Sequence, residues 1–322
     1  MSILWQIFTL IIGFIILVKG ADFLVDGASG IARKLHVPEI VIGMTIIAFG
    51  TSAPELSVAL NAFASGNTDL TLGDIIGCAI SNILLLLGLA AVIRPVKIDK
   101  TTQKREIPFY VVAIVIFAAL VLTAYFTDGN ISRIGGLILL ALFGVFLSFT
   151  ISTLRKKMRL TPSKNESKKV KNTKMWLSVI MTLGGLIGVV LGSNIVINNA
   201  TEIATAFGIS ERIIAMTIIA MGTSLPELMA TIAAAKKNEQ GLLIGNAIGS
   251  NVFNICLALG LPITMYGALN VMNFRIFDLV VMVVAAIALF VYTRKDNKIT
   301  QKEGVVMLAM FVAYYAIMLI TM

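Results

Sequence analysis

The sequence predicts an all-α membrane protein of ten transmembrane helices, arranged as two inverted five-helix repeats. Three observations lead there. Hydrophobic residues make up 58% of the 322 residues and charged residues 13%, and mean hydropathy is +0.94; soluble domains are roughly half apolar and one-quarter charged. Apolar runs of about 20 residues, enough to cross about 30 Å of hydrocarbon, recur along the whole chain. A segment of the first half also returns in the second half at a fixed distance.

The runs are Leu4 to Lys19 and onward, Val37 to Ala64, Leu70 to Ile93, Pro108 to Phe126, Ile134 to Leu154, Trp176 to Ile197, Ile213 to Ala235, Leu242 to Met265, Ile276 to Tyr292 and Val305 to Thr321. They are continuous rather than alternating in polarity, which argues against a membrane barrel, and helices alone then satisfy the backbone in lipid. The first run lacks a short apolar core followed by a small-residue cleavage site, so it is expected to be retained. Cys78 and Cys256 both fall inside spans, which suggests neither a disulfide framework nor a CxxC metal site.

The formal charge of +9 reports topology rather than a nucleic-acid partner, because the basic residues cluster in alternate loops. With both termini outside a plasma membrane, the inside loops carry Arg33 and Lys34; Arg94, Lys97, Lys100, Lys104 and Arg105; the Arg155 to Lys174 run; Lys236 and Lys237; and Arg294, Lys295, Lys298 and Lys302. The outside loops, Ser65 to Asp69, Thr127 to Ser132, Asn198 to Ser210 and Tyr266 to Asn273, are poor in basic residues.

Internal repetition orders these spans. Met44-Thr45-Ile46-Ile47-Ala48-Phe49-Gly50-Thr51-Ser52-Ala53-Pro54-Glu55-Leu56 recurs as Met216-Thr217-Ile218-Ile219-Ala220-Met221-Gly222-Thr223-Ser224-Leu225-Pro226-Glu227-Leu228, an offset of 172 residues (216 − 44). The same offset aligns Gly73-Asp74 with Gly245-Asn246, Gly77-Cys78 with Gly249-Ser250, Asn82 with Asn254, and Gly20-Ala21-Asp22 with Gly192-Ser193-Asn194. Five spans per copy is an odd number, so the second copy enters the bilayer from the opposite side. Repeats at residues 1–154 and 175–322 are joined by a basic, polar stretch at 155–174 containing Pro162, Ser163 and Ser167, which reads as a cytoplasmic linker. Inverted repeats of this kind place a substrate site near the midplane and suit alternating access.

Glu55 and Glu227 lie within otherwise apolar spans, where a charge costs roughly 2.5 to 3.5 kcal/mol on insertion scales. Neither has a Lys or Arg nearby in sequence, so a bound cation or proton is the expected partner. Pro54 and Pro226 cannot donate to the carbonyls of Gly50 and Gly222, so each span should kink before its glutamate and turn freed carbonyls into the site. Thr51 with Glu55, Thr223 with Glu227, Cys78 with Asn82 and Ser250 with Asn254 are each four residues apart and share a helix face. Gly73, Gly77, Gly245 and Gly249 allow close backbone approach, whether for the site or for packing. Carboxylates, hydroxyls, amide oxygens and loose carbonyls make a flexible oxygen cage that suits calcium better than zinc, copper or magnesium, and sodium is a hard cation of similar size.

The segments Gly50-Thr51-Ser52-Ala53-Pro54-Glu55 and Gly222-Thr223-Ser224-Leu225-Pro226-Glu227, each followed by a Gly-rich helix reaching Asn82 or Asn254, closely resemble the alpha repeats of the sodium/calcium exchanger family, over essentially the entire chain. The resemblance implies a secondary antiporter exchanging Na+ for Ca2+. Its calcium site would be made by Glu55 and Glu227 with backbone oxygens of Thr51 and Thr223. Flanking sodium sites would use the carbonyls of Ala48 and Ala220, the hydroxyls of Thr51 and Thr223, Ser250 and the glutamates, and Asn82 and Asn254 would line the middle. The first and sixth helices would slide against the other eight. Two positions depart from the pattern. Cys78 stands where many relatives have serine, and a thiol is a poor sodium ligand. Asn254 stands where several have aspartate, which resembles the potassium-independent branch.

A proton/calcium antiporter of the same fold is the nearest rival, since both glutamates can exchange protons and Cys78 weakens the sodium argument. A calcium channel would use a similar acidic ring. No phosphate-binding loop is present for ATP-driven pumping, and no nucleophile–base pair or His-containing metal motif suggests an enzyme. No cofactor, nucleic acid or obligate protein partner is expected beyond the transported ions and the bilayer. His36, Glu202 and Glu211 read as solvated loop residues, Asp22 and Asp26 as a solvated helix end or an entry path, and Asp74 as a peripheral polar contact.

Overall fold

The computed structural model describes residues 3–66, 68–160, 174–209, 220–272 and 274–321. Twelve helices and four two-residue strands follow one another. They are α1 (Ile3–Lys34), α2 (Glu39–Thr51), α3 (Ala53–Ala64), α4 (Thr71–Ile93), β1 (Val96–Lys97), α5 (Thr102–Tyr125), β2 (Asn130–Ile131), α6 (Arg133–Leu160), α7 (Met175–Ala206), α8 (Ala220–Gly222), α9 (Leu225–Lys237), α10 (Gln240–Tyr266), β3 (Leu269–Asn270), α11 (Ile276–Asp296), β4 (Lys298–Ile299) and α12 (Gln301–Ile320). Among the described residues eight helices are long and apolar enough to cross a membrane, and the pair α2–α3, bent by 46° at Ser52, makes a ninth span. The expected seventh span, Ile213 to Ala235, is described only from Ala220 onward, and the 155–174 linker lies outside the described residues apart from the end of α6 and Lys174.

The chain forms two compact units, one of Met1–Thr51 with Phe149–Asn246 and the other of Ser52–Ser148 with Ala247–Met322. Each unit therefore draws on both repeats. In the first unit the long helices α1 and α7 pack along their length on glycine. A Cβ at Gly185 would lie 2.3 Å from the Leu24 backbone nitrogen, one at Gly20 would lie 2.7 Å from that of Val189, and one at Gly192 would lie 2.6 Å from that of Leu17. Small residues let two backbones touch in a setting where no hydrophobic drive joins helices, and dispersion and close contact do so instead. At 32 residues each, α1 and α7 are about 48 Å long and extend past the hydrocarbon.

The second unit shows the inversion directly. β1 pairs antiparallel with β4, and β2 with β3. α5 runs from β1 to β2, whereas its counterpart α11 runs from β3 to β4, so equivalent helices travel in opposite directions between the two small sheets. The basic connections around Lys97 and Lys298 meet in one sheet, and the connections expected to lack basic residues meet in the other. The central spans are the buried ones: α10 has 94% of its apolar window buried and α4 78%, against 22% for α12. Both also contain a π-helical stretch, Ser81–Leu87 in α4 and Phe253–Leu259 in α10, again 172 residues apart. Thr300 and Glu303 close a capping box at the start of α12, which satisfies donors that the first turn leaves open.

Several loop assignments shift because helices continue into the interface without an apolar signature. Arg33 and Lys34 form the last turn of α1. The expected Asn198 to Ser210 loop is helical through Ala206, so Glu202 stands on α7 rather than in a loop; it is exposed, as expected, and accepts a hydrogen bond from Gln6 Nε2 at 2.7 Å. Asp22 and Asp26 are ion-paired with Lys237, not simply a solvated end. His36 is exposed at φ +54° in the turn after α1, and Glu211 lies outside the described residues.

Gly185→Ala should lower the thermal stability of the purified protein by roughly 2 kcal/mol through overpacking. Gly184→Ala, where a Cβ would meet no described atom within 4 Å, should be neutral or gain up to about 1 kcal/mol from helix propensity. Thermal unfolding of the two variants in detergent would separate them, and equal effects would contradict the packing described.

Candidate functional site

Both glutamates sit where proline restarts a broken span. Ser52 at the first break, and Thr223 with Ser224 at the second, are non-helical, and Pro54 and Pro226 occupy the first turns of α3 and α9, where a missing N–H costs little. Leu56 N then donates to Ser52 O at 3.3 Å and Leu228 N to Ser224 O at 2.9 Å. Glu55 and Glu227, one residue past the prolines, are each 2% exposed. Two carboxylates at that depth in a bilayer each carry the insertion cost given above, about 2.5 to 3.5 kcal/mol.

The ten residues singled out in the sequence divide evenly between the units. Ala48, Thr51, Ala220, Thr223 and Glu227 belong to the first, and Glu55, Cys78, Asn82, Ser250 and Asn254 to the second. In the first unit α9 packs against the last turn of α2, Ala48–Thr51. Asn246 joins them: its Nδ2 donates to the Glu227 carbonyl at 3.3 Å and to Thr231 Oγ1 at 3.2 Å, and its Oδ1 lies 3.5 Å from Thr51 Oγ1. The Thr51 hydroxyl turns back on its own helix, 3.1 Å from Ile47 O and 3.3 Å from Ala48 O. Thr223 is half-buried, and Ala220 opens the short helix α8.

In the second unit α3, which carries Glu55, packs against the π-helical stretch of α10. Asn82 and Asn254 are the second residues of the two π-helical stretches. Such stretches widen the helix locally and recur at functional sites. Asn82 Nδ2 donates to Asn251 Oδ1 at 2.8 Å, and Asn251 Nδ2 reaches Tyr110 Oη at 3.0 Å and Ala79 O at 3.3 Å. The Oδ1 of Asn82, the Oγ of Ser250 and both amide atoms of Asn254 are buried without a hydrogen-bond partner among the described residues. Buried polar atoms are nearly always satisfied, so these four atoms are available for contacts that a bound ion or water would supply. Cys78, 3% exposed, directs its thiol back along α4, 4.0 Å from Asp74 Oδ1.

Two expectations change. The Gly222 carbonyl freed by Pro226 accepts a hydrogen bond from Ser193 Oγ at 3.1 Å, so α7 satisfies it and it does not turn into the site. Close backbone approach holds at Gly245, where a Cβ would lie 2.5 Å from Ile40 O, but at Gly73 and Gly77 a Cβ would meet no described atom within 4 Å. Asn246, Asn251, Tyr110 and Ser193 were not singled out from the sequence as parts of this arrangement. Breaks in the repeat were the available signal: 172 residues earlier, Asn251 corresponds to Ala79 and Ser193 to Ala21.

Oxygen-rich clusters on proline-broken spans of an inverted-repeat helix bundle define a membrane transporter, not an enzyme. A family model for the sodium/calcium exchanger protein matches residues 5–152 and 177–320, and the chain belongs to that family. It is similar to the uncharacterized membrane protein MJ0091 of Methanocaldococcus jannaschii, 36% identical with 94% of each chain covered. It is also similar to the inner membrane protein YrbG of Escherichia coli, 33% identical with 96% of this chain and 95% of that one covered. Among solved structures it resembles the sodium-calcium exchanger NCX_Mj soaked with 10 mM Na+ and zero Ca2+, with a TM-score of 0.84 and 32% identity over 98% of this chain and 99% of that one. The protein is thus an integral multi-pass antiporter of the cation/calcium exchanger group with the ten-span inverted-repeat fold.

Removing the Asn251 amide leaves Tyr110 and Asn82 short of partners in a dry interior. Asn251→Ala should therefore cost roughly 1 to 3 kcal/mol, and Tyr110→Phe should cost less, since it removes one of those contacts. Chemical or thermal unfolding of both variants would check the order.

Proposed function

We propose that this protein exchanges Na+ for Ca2+ across the plasma membrane by alternating access, without requiring K+. The observation that carries this reading is the pair of buried glutamates, Glu55 and Glu227, together with the unpartnered oxygens of Asn82, Ser250 and Asn254. These are hard oxygen donors of the kind calcium and sodium take. Two carboxylates neutralise one Ca2+, and the same negative charge serves sodium ions in its place, so occupancy by one species excludes the other. Glu55 and Glu227 with Thr51 and Thr223 would hold calcium. Ala48, Ala220, Ser250 and the threonines would complete the sodium sites, and Asn82 and Asn254 the centre. Asn254, neutral where an acid would add a third charge, supports potassium independence. The structures similar to this chain are of an exchanger studied with Na+, Ca2+ and Sr2+, which favours the same ions here. Both termini outside is the orientation supported by the meeting of the basic connections in one sheet.

Cys78 is the one observation that favours a second reading, proton/calcium antiport, because its thiol faces Asp74 and is a weak sodium ligand. Calcium uptake into sodium-loaded proteoliposomes diluted into sodium-free buffer decides between them. Uptake should require internal sodium, proceed equally in a potassium-free medium, and fall to the level of empty liposomes in Glu227→Gln. Cys78→Ser should lower the half-saturating sodium concentration about fivefold, the value of one added oxygen contact of about 1 kcal/mol. Uptake that ignores sodium and follows an imposed pH gradient would establish the proton antiporter instead.

A further inference from the structure

The end of the helix that carries Glu227 is fastened to α1 by charges that serve no part of the site described above. Asp22, Asp26, Ser29 and Arg33 are spaced by four, three and four residues and so form one stripe on α1. Opposite them, α9 ends at Lys237, Asn238 turns the chain with φ +60°, and Glu239 leads into α10. This left-handed corner sends its two charged neighbours to different points of the stripe. Lys237 Nζ lies 2.9 Å from Asp26 Oδ1, 3.4 Å from Asp22 Oδ1 and 2.7 Å from the Asp22 carbonyl oxygen. Glu239 Oε1 accepts from Ser29 Oγ at 2.7 Å and from Arg33 Nη2, and Arg33 Nη2 also donates to Ser29 Oγ at 2.5 Å. Acid, acid, hydroxyl and base along α1 thus meet base and acid along the corner in matching order. All of these residues lie in the first unit.

The other repeat carries no such charges. At the 172-residue offset the stripe becomes Asn194, Asn198, Thr201 and Thr205, and the corner becomes Ser65, Gly66 and Asn67. Inverted copies put equivalent positions on opposite membrane faces, so the charged fastening exists on one face while the equivalent positions in the sequence are neutral.

We propose that Lys237 and Glu239 form an ionic latch that docks α9 on α1 and makes the two inverted halves energetically unequal. Both are positioning residues, acting on Glu227 along the helix, ten positions before Lys237 (237 − 227). A single exposed ion pair contributes little, but a network that shares partners contributes more, and this one is exposed enough to be screened by salt. The effect on transport rests on the alternating-access reading above, whereas the latch itself does not.

Spin labels on Leu35→Cys and Lys236→Cys, both exposed and outside the latch, would report the docking distance in the full-length protein in nanodiscs, where native Cys78 and Cys256 are buried. A single dominant distance is expected at about 0.1 M salt. Lys237→Gln should add a longer population, the swap Asp26→Lys with Lys237→Asp should restore the short one, and raising salt to about 1 M, which cuts the Debye length from about 10 Å to about 3 Å, should mimic Lys237→Gln in the unmutated latch. In oriented proteoliposomes Lys237→Gln should change the ratio of half-saturating calcium at the two faces severalfold. Distances insensitive to salt and to Lys237→Gln would overturn the latch, and the salt comparison stands even if a variant folds poorly. A changed distance with an unchanged ratio would overturn its effect on the two faces. Absence of calcium exchange in the unmutated protein would count against the proposed function and leave the distance result to decide the latch.

Discussion

Hydrocarbon offers no hydrogen bonds to a helix that stops halfway, and much of this structure answers that constraint. Each proline-broken span exposes backbone and introduces a carboxylate at the depth where both are most costly. The protein meets the backbone part with neighbouring side chains: Ser193 caps the Gly222 carbonyl, and Asn246 ties the Glu227 carbonyl to the vicinity of Thr51. Burial of α4 and α10 nearly all round keeps lipid away from the remaining polar atoms. Within the first unit the glycine seam holds α1 against α7, and within the second the two small sheets join strands of the two repeats. Buried polar atoms are nearly always satisfied, and Asn82, Ser250 and Asn254 are among the described residues whose buried polar atoms lack a hydrogen-bond partner.

Repetition holds better in the backbone than in the side chains. The restarts at Ala53 and Leu225 and the π-helical stretches from Ser81 and Phe253 keep the 172-residue register. Against that regular frame, Cys78 corresponds to Ser250, Ala79 to Asn251, Asp74 to Asn246 and Ala21 to Ser193. The Asn251 amide even reaches the carbonyl of Ala79, its own counterpart. One fold thus supports two chemically different halves. In an antiporter that must present one site to two solutions, such differences are what allow the two directions to have different affinities.

The spans, the repeat and the two glutamates were legible in the sequence, because long apolar runs, a thirteen-residue recurrence and acids within hydrocarbon are strong signals. Helix ends were less so: α7 continues through Glu202 and α1 through Lys34 as polar helix, which hydropathy reads as loop. Two-residue strands carry no periodic pattern, so β1 to β4 were invisible before the fold brought them together. Partnerships were the least legible. Pro226 announces that a carbonyl is freed but not that Ser193, 29 residues away in the chain, will take it. Likewise Lys237 reads in the sequence as a topological charge, and nothing there announces its pairing with Asp22 and Asp26 across 215 and 211 residues (237 − 22 and 237 − 26).

The strand pairs bear on how such a chain arises. Each sheet takes one strand from either repeat, β1 with β4 and β2 with β3, and the inverted symmetry makes the two sheets versions of a single contact. A lone five-helix half would leave both of its strands without a mate, while a second copy inserted upside down would complete both at once. The pairing also sets an order on synthesis, since β1 must remain unpaired until β4, just before the last span, has left the ribosome.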